Sequence, residues 1–194
     1  MFRKISLAIL AALVLSASLG DAAQARRRRA PQQDDTAAKK AVLTPGGGKA
    51  LELGKYGDWG AYSTQGTKGK ICYALAQPKE RQPAGLNRDP GYLFISTRPG
   101  EGVRGEVSFI FGYPLREAGA EATAEAGSAS FELITKDQNA WVKNAAEEGQ
   151  LVETMRKASK LLIKVQSKKG NATTDTYSLT GLGQALDRVK KECP

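Results

Sequence analysis

The 194-residue chain predicts a mainly β fold, an antiparallel β-sandwich or barrel-like domain with two short α-helices, one of them C-terminal and tethered by a disulfide. Three observations predict it. Short runs of alternating apolar residues recur between turn signals rich in Gly, Pro and Asn. Helical spacing is confined to two segments, 145–157 and 182–193. The only two cysteines, Cys72 and Cys193, fall in a strand pattern and at the end of the second helical pattern. In that last segment Leu182, Leu186 and Val189 are spaced i, i+4, i+7, and Cys193 continues their row one turn later, on the buried stripe. A Cys72–Cys193 bond would therefore pin the helix over the sheet. In an oxidising compartment two cysteines read most simply as one disulfide, and in a reducing one as two buried thiols.

The elements follow in order. Residues 56–62, Tyr-Gly-Asp-Trp-Gly-Ala-Tyr, read as a first strand, and residues 70–77 as a second, with Cys72 on the alternating face of Ala74 and Ala76. Residues 78–90, rich in Pro, Gly and Asn, read as a long loop. Strands are expected at 92–97 and 106–111, separated by a loop with Pro99, Gly100 and Gly102, and Gly112-Tyr113-Pro114 stops the second. Residues 122–126 and 129–135 form a hairpin pattern about Gly127-Ser128, with Phe131 and Leu133 on one face, and a short strand surrounds Trp141. Residues 145–157 predict a helix. Asn144 suits its N-cap, Glu147 and Glu148 its first turn, Arg156 and Lys157 its last, and Leu151, Val152 and Met155 its inward face. Leu161, Ile163 and Val165 alternate in a further strand, which residues 167–171 turn back into a strand over 172–179.

The first 25 residues read as an address. Arg3 and Lys4 precede an apolar run over 5–19, and Ala23-Gln24-Ala25 forms an A-x-A site that places cleavage between Ala25 and Arg26. A twin-arginine signal does not fit, because the arginine cluster follows the apolar run. That same cluster keeps a second reading open, an uncleaved anchor with the domain on the cytoplasmic side, since positive charge holds a flank inside. Under the first reading the mature protein is periplasmic or secreted and has no transmembrane anchor.

Residues 26–50 carry seven basic and two acidic residues and almost no large apolar groups, so they are expected to be a disordered basic linker. The formal net charge of +9 belongs mainly to this segment. Residues 51–194, expected as a single domain, hold 20 basic against 17 acidic residues in mixed order, the pattern of a solvated surface rather than a nucleic-acid face. Arg26, Arg27, Arg28 and Arg29 could contact anionic lipid or polysaccharide; the plainer reading is a charged spacer.

The chain contains no histidine, which removes Ser-His and Cys-His nucleophilic catalysis and histidine-ligated metals. Two cysteines cannot make a four-thiolate zinc site, and no serine is followed three residues later by lysine. Gly181-Leu-Gly183 lies between a strand and a helix but lacks the third glycine and the downstream acid of a dinucleotide fingerprint, so it reads as a tight turn. Asn171-Ala-Thr173 has the form of a glycosylation sequon in a hairpin turn. Asp175 shares the face of Tyr177 and Leu179 and is expected to be partly buried, for structural hydrogen bonds or as the acid of an envelope hydrolase. No nucleophile, base and orienter come together in the sequence; no catalytic residue, metal or cofactor is expected.

Several short elements together resemble the invasion-associated locus B family of secreted bacterial proteins. These are Gly57-Asp58-Trp59, Cys72-Tyr-Ala-Leu-Ala-Gln77, Ile110-Phe-Gly-Tyr-Pro114, Ala140-Trp-Val with Asn144-Ala-Ala, and Tyr177-Ser-Leu-Thr-Gly181 running through Ala185-Leu186 to Cys193. The resemblance implies an exported envelope protein associated with bacterial entry into, or persistence in, host cells, with no catalytic residues to carry over. Many members of that family have a further cysteine soon after the tryptophan. Here Trp59 is followed by Gly-Ala-Tyr-Ser, which leaves one disulfide. The function expected is thus a non-enzymatic binding module for an envelope or host-surface component, serving host-cell association or envelope maintenance. Its alternatives are a small carboxylate-dependent envelope hydrolase and a polyanion binder acting through the tail.

Overall fold

Alternation of small and large side chains shows how the sheet is dressed. In the strand around Cys72 the residues Cys72, Ala74 and Ala76 face inward and are buried, while Ile71, Tyr73 and Leu75 face the other way. Small inward residues leave room for a helix to lie close against the strand, and the C-terminal helix occupies that room.

The computed structural model describes residues 41–43, 49–117 and 121–194. In chain order the strands are β1 (Ala41–Leu43), β2 (Lys49–Tyr56), β3 (Trp59–Gly66), β4 (Gly69–Ala76), β5 (Glu80–Gln82) and β6 (Tyr92–Arg98). They continue with β7 (Val103–Ile110), β8 (Thr123–Ala126), β9 (Ala129–Lys136), β10 (Asn139–Val142), β11 (Lys160–Gln166) and β12 (Ala172–Ser178). The helices are α1 (Glu148–Lys157) and α2 (Leu182–Glu192). Among the described residues all strand pairs are antiparallel, in the order β1-β2-β3-β4-β6-β7-β10-β9-β8-β11-β12-β5. The mainly antiparallel β class with two helices is therefore what the chain adopts, and its sheet is sandwich-like.

β9 is where the sheet changes hands. Its first four residues pair with β8 and its last four with β10, so the two halves meet at a staggered strand. The far edge then returns beside the beginning: β5 follows β4 closely in the chain yet, among the described residues, pairs only with β12, and the Lys79 N–H reaches the Thr176 carbonyl at 2.7 Å. Between these surfaces lies the main core, with Trp59, Leu93, Ile95, Val107, Phe109 and Phe111 from strands and their ends, Leu151 and Met155 from α1, and Leu182, Ala185, Leu186 and Val189 from α2. A smaller cluster of Ala50, Tyr62 and Tyr73 sits on the opposite face of β2–β4.

The structure corrects three expectations. Residues 56–62 are not one strand: Gly57-Asp58 is a two-residue turn, Gly57 has φ 57°, and Tyr56 pairs directly with Trp59 across it. The linker expected over 26–50 contains strand at 41–43 and 49–50, because β1 and β2 pair there and Ala50 packs with Tyr62 and Tyr73; the rest of that segment lies outside the described residues. The loop expected over 78–90 contains β5, whose residues have no apolar alternation and are held in strand geometry by pairing with β12.

Other elements fall where the periodicity puts them. Asn144 caps the helical segment by accepting from the Ala146 N–H at 3.2 Å, although the first turn, Ala145–Glu147, is a 3-10 turn and α1 begins after it. In α2 the stripe Leu182, Leu186 and Val189 is buried, and Cys193 lies just past the last helical residue, 2% exposed.

Candidate functional site

β12 positions two polar assemblies, one at its C-terminal end and one running from its middle toward its N-terminal end. At its C-terminal end a clasp holds α2. Trp59 Nε1 donates to the Ser178 carbonyl at 2.9 Å, and the Asp58 N–H donates to the Thr180 carbonyl at 3.1 Å. The Lys79 ammonium and the Ser178 hydroxyl bind the Asp58 carboxylate and hold its pKa below the usual value. Gly181 has φ 91°, and a Cβ there would run into the Tyr56 carbonyl. Glycine is required on both grounds. The Gly57-Asp58-Trp59 turn and the Tyr177–Gly181 segment, far apart in sequence, are thus the two halves of one contact.

The other end of α2 is closed covalently. Cys72 and Cys193 are disulfide-bonded, both buried, with Cα atoms 6.0 Å apart. Around the bond Glu192 accepts from Lys70 at 2.6 Å and from Arg188 at 2.8 Å, and these bonds pull its pKa down.

At the middle of β12 lies Asp175, buried as the alternation predicts, and it has two arginine partners that the sequence did not reveal. Register places Arg81 of β5 opposite Asp175. Arg81 Nε lies 3.1 Å from both carboxylate oxygens, and Arg88 Nη1 lies 3.9 Å from Oδ1. Burial nevertheless dominates and raises the Asp175 pKa above its usual value, the arginines opposing it. The remaining donors hold backbone: Arg81 Nη1 binds the Asp89 carbonyl at 2.8 Å and its Nη2 the Phe111 carbonyl at 2.7 Å, while Arg88 Nη2 binds the carbonyls of Arg81 and Pro83 at 3.0 and 2.7 Å. The two guanidinium groups stand 5.7 and 5.8 Å from the centre of the Tyr113 ring. Tyr113 donates to Thr173 Oγ1 at 2.7 Å, and Thr173 donates onward to the Val165 carbonyl at 3.2 Å. Beside Asp175 the Tyr177 hydroxyl is buried, without a hydrogen-bond partner among the described residues, and burial drives its pKa well up.

This network forms the floor and one wall of a cleft of about 600 Å³. Its walls are the 86–89 segment and the 167–171 turn. The first is fastened by Arg81, Arg88 and an Asp89 N–H to Gly112 carbonyl bond of 3.2 Å. The second closes on itself, with Asn171 N–H to Ser167 Oγ at 3.0 Å, and is tied to Pro114 through the Lys168 N–H at 2.9 Å. The side chains of Asn87, Gln138, Lys168, Lys169 and Asn171 line the cleft and make no hydrogen bond or ion pair with the described residues. The backbone is preformed while the polar rim is uncommitted.

Of the residues singled out from sequence, Cys72 and Cys193 come together and Asp175 is central to the arginine cluster. Ala25 and Arg26, with the rest of the basic cluster Arg27, Arg28 and Arg29, lie outside the described residues. Among the described residues no three cysteine or acidic side chains converge to hold a metal ion, and no helix is long and apolar enough to cross a membrane.

Fold and site together define a disulfide-closed antiparallel β domain with a polar cleft beside the Asp175 cluster. Comparison with protein-family models, with curated proteins and with solved structures finds no match.

Proposed function

We propose that the protein is an exported, non-enzymatic binding module of the bacterial envelope or its surroundings, of the kind implied by the resemblance to the invasion-associated locus B family. The observation that carries this reading is the cleft: its walls are tied by hydrogen bonds, while five polar side chains on its rim have no partner among the described residues. The alternative, a hydrolase built on Asp175, is less well supported. That carboxylate is bound by Arg81 through both of its oxygens, and Arg88 stands beside it, which leaves it poorly placed to act as a free acid or base. The single disulfide favours an oxidising compartment, in keeping with the export signal expected over residues 1–25.

A deletion strain tests the reading. Loss of the protein is expected to weaken envelope integrity or host-cell association, and the Asp175→Asn protein is expected to restore the phenotype wherever it folds. A strain normal in both respects contradicts the binding role. Turnover of peptidoglycan or polysaccharide that disappears in folded Asp175→Asn would establish the hydrolase instead.

A further inference from the structure

We propose that the cleft beneath the 167–171 turn binds a monosaccharide-sized acid, a sugar bearing a carboxylate or a phosphate. The inference rests on the binding-module reading and adds the ligand class. Charge sets the first requirement. Asp175 is already shared by Arg81 and Arg88, so the cluster retains one positive charge. Lys168 and Lys169 add two more from the opposite wall, against the single carboxylate of Asp89. The balance favours an anion, held by two lysines that have no ion pair of their own among the described residues.

The other lining groups set the second requirement. A bare inorganic anion would leave the amides of Asn87, Gln138 and Asn171 unused, together with the Asp89 carboxylate. Amides and a carboxylate suit hydroxyl groups, since an amide both donates and accepts and a carboxylate accepts from a hydroxyl. Tyr113, Pro114 and Leu86 add apolar surface against which the C–H face of a sugar ring can rest. A volume of about 600 Å³ falls in the range of small-molecule sites. The arginines are consumed by backbone carbonyls and Asp175, so they hold the walls; the lysines are the groups free to meet the charge.

The test is an amide NMR titration of the oxidised protein with glucuronate, glucose 6-phosphate, glucose and inorganic phosphate, each separately. At least one sugar acid is expected to give saturable shifts confined to residues 86–89, 112–114, 138 and 167–171, about tenfold tighter than glucose or phosphate alone. Lys168→Ala/Lys169→Ala is expected to weaken that binding about tenfold, with the remaining spectrum unchanged, and added salt to weaken it in the wild type. A glucuronate-containing tetrasaccharide distinguishes the source: tighter binding than the monomer assigns a chain-borne sugar, equal or weaker binding a free one. Absence of saturable shifts with both acids, or equal affinity in the double variant, overturns the proposal. If the titration fails while the deletion strain shows its envelope defect, the ligand class falls and the binding-module reading stands.

Discussion

The Ser178 end of β12 and its Thr173–Asp175 half carry polar groups of similar chemistry in opposite states of engagement. At the Ser178 end the contacts are closed: Trp59 meets the Ser178 carbonyl, Asp58 meets Lys79, and the glycines of two loops approach so closely that neither tolerates a side chain. At the Thr173 end the inner layer is equally closed, through Arg81, Asp175 and the Tyr113–Thr173 bond, but the layer above it is not. Asn87, Gln138, Lys168, Lys169 and Asn171 stand on a fixed backbone with their side chains unengaged. The difference separates scaffold from site: the clasp spends its polar groups on holding α2, whereas the cleft spends its inner groups on shape and leaves the outer ones for a ligand.

This contrast predicts large stability effects beneath the clasp and the cleft floor, and small ones on the rim. The largest is expected from Cys72→Ser/Cys193→Ser, which opens a bond spanning 121 residues of sequence and is expected to cost about 4 kcal/mol in denaturant unfolding. Asp175→Ala comes next, at about 3 kcal/mol, because it removes the buried acceptor that Arg81 binds through both oxygens and leaves a cavity in its place. Asp175→Asn, which can still accept one hydrogen bond, is expected to cost less. Amide exchange over residues 83–90 should quicken in the alanine variant, and unchanged exchange there would break the link between the cluster and the cleft wall. Gly181→Ala is expected to cost about 2 kcal/mol through a left-handed backbone and the clash with Tyr56.

Acid adds a second contrast, since the buried carboxylate under the cleft and the ion-paired one beside the disulfide respond with opposite sign. The Asp175 pKa is raised on folding, so protonation favours the folded chain, and its contribution improves as pH falls through the folded value. The Glu192 pKa is lowered by Lys70 and Arg188, so its contribution is present above the unfolded value and is lost as pH falls through the folded one. Glu192→Gln should therefore cost about 0.5 kcal/mol at neutral pH and nothing in strong acid, measured as denaturant midpoints across pH. The smallest effect belongs to Lys168→Ala/Lys169→Ala, which should leave stability within about 0.5 kcal/mol of wild type while weakening cleft binding about tenfold.

Much of the scaffold was legible in the residues themselves. The α2 stripe, the inward face of Cys72 and the burial of Asp175 follow from periods of 3.6 and 2 that local spacing reports directly. The turn at Gly57-Asp58 was also written locally, as a Gly-Asp pair between two runs, but the surrounding aromatics read as one strand. The cleft was not legible. Glu80-Arg81-Gln82 has no apolar residue to give a period, and only pairing with β12 makes it a strand and sets Arg81 against Asp175. The cleft walls come from 86–89, 112–114 and 167–171, which no local pattern connects; their meeting is a property of the sheet order.

Retention of the purified, oxidised protein on isolated envelopes from its own cells, wild type beside Lys168→Ala/Lys169→Ala, tests the central claim most directly. The account predicts saturable retention of the wild type, released by excess sugar acid and by salt, and its loss in an equally stable double variant. Equal retention of the two proteins, or none of the wild type on any envelope fraction, would contradict it.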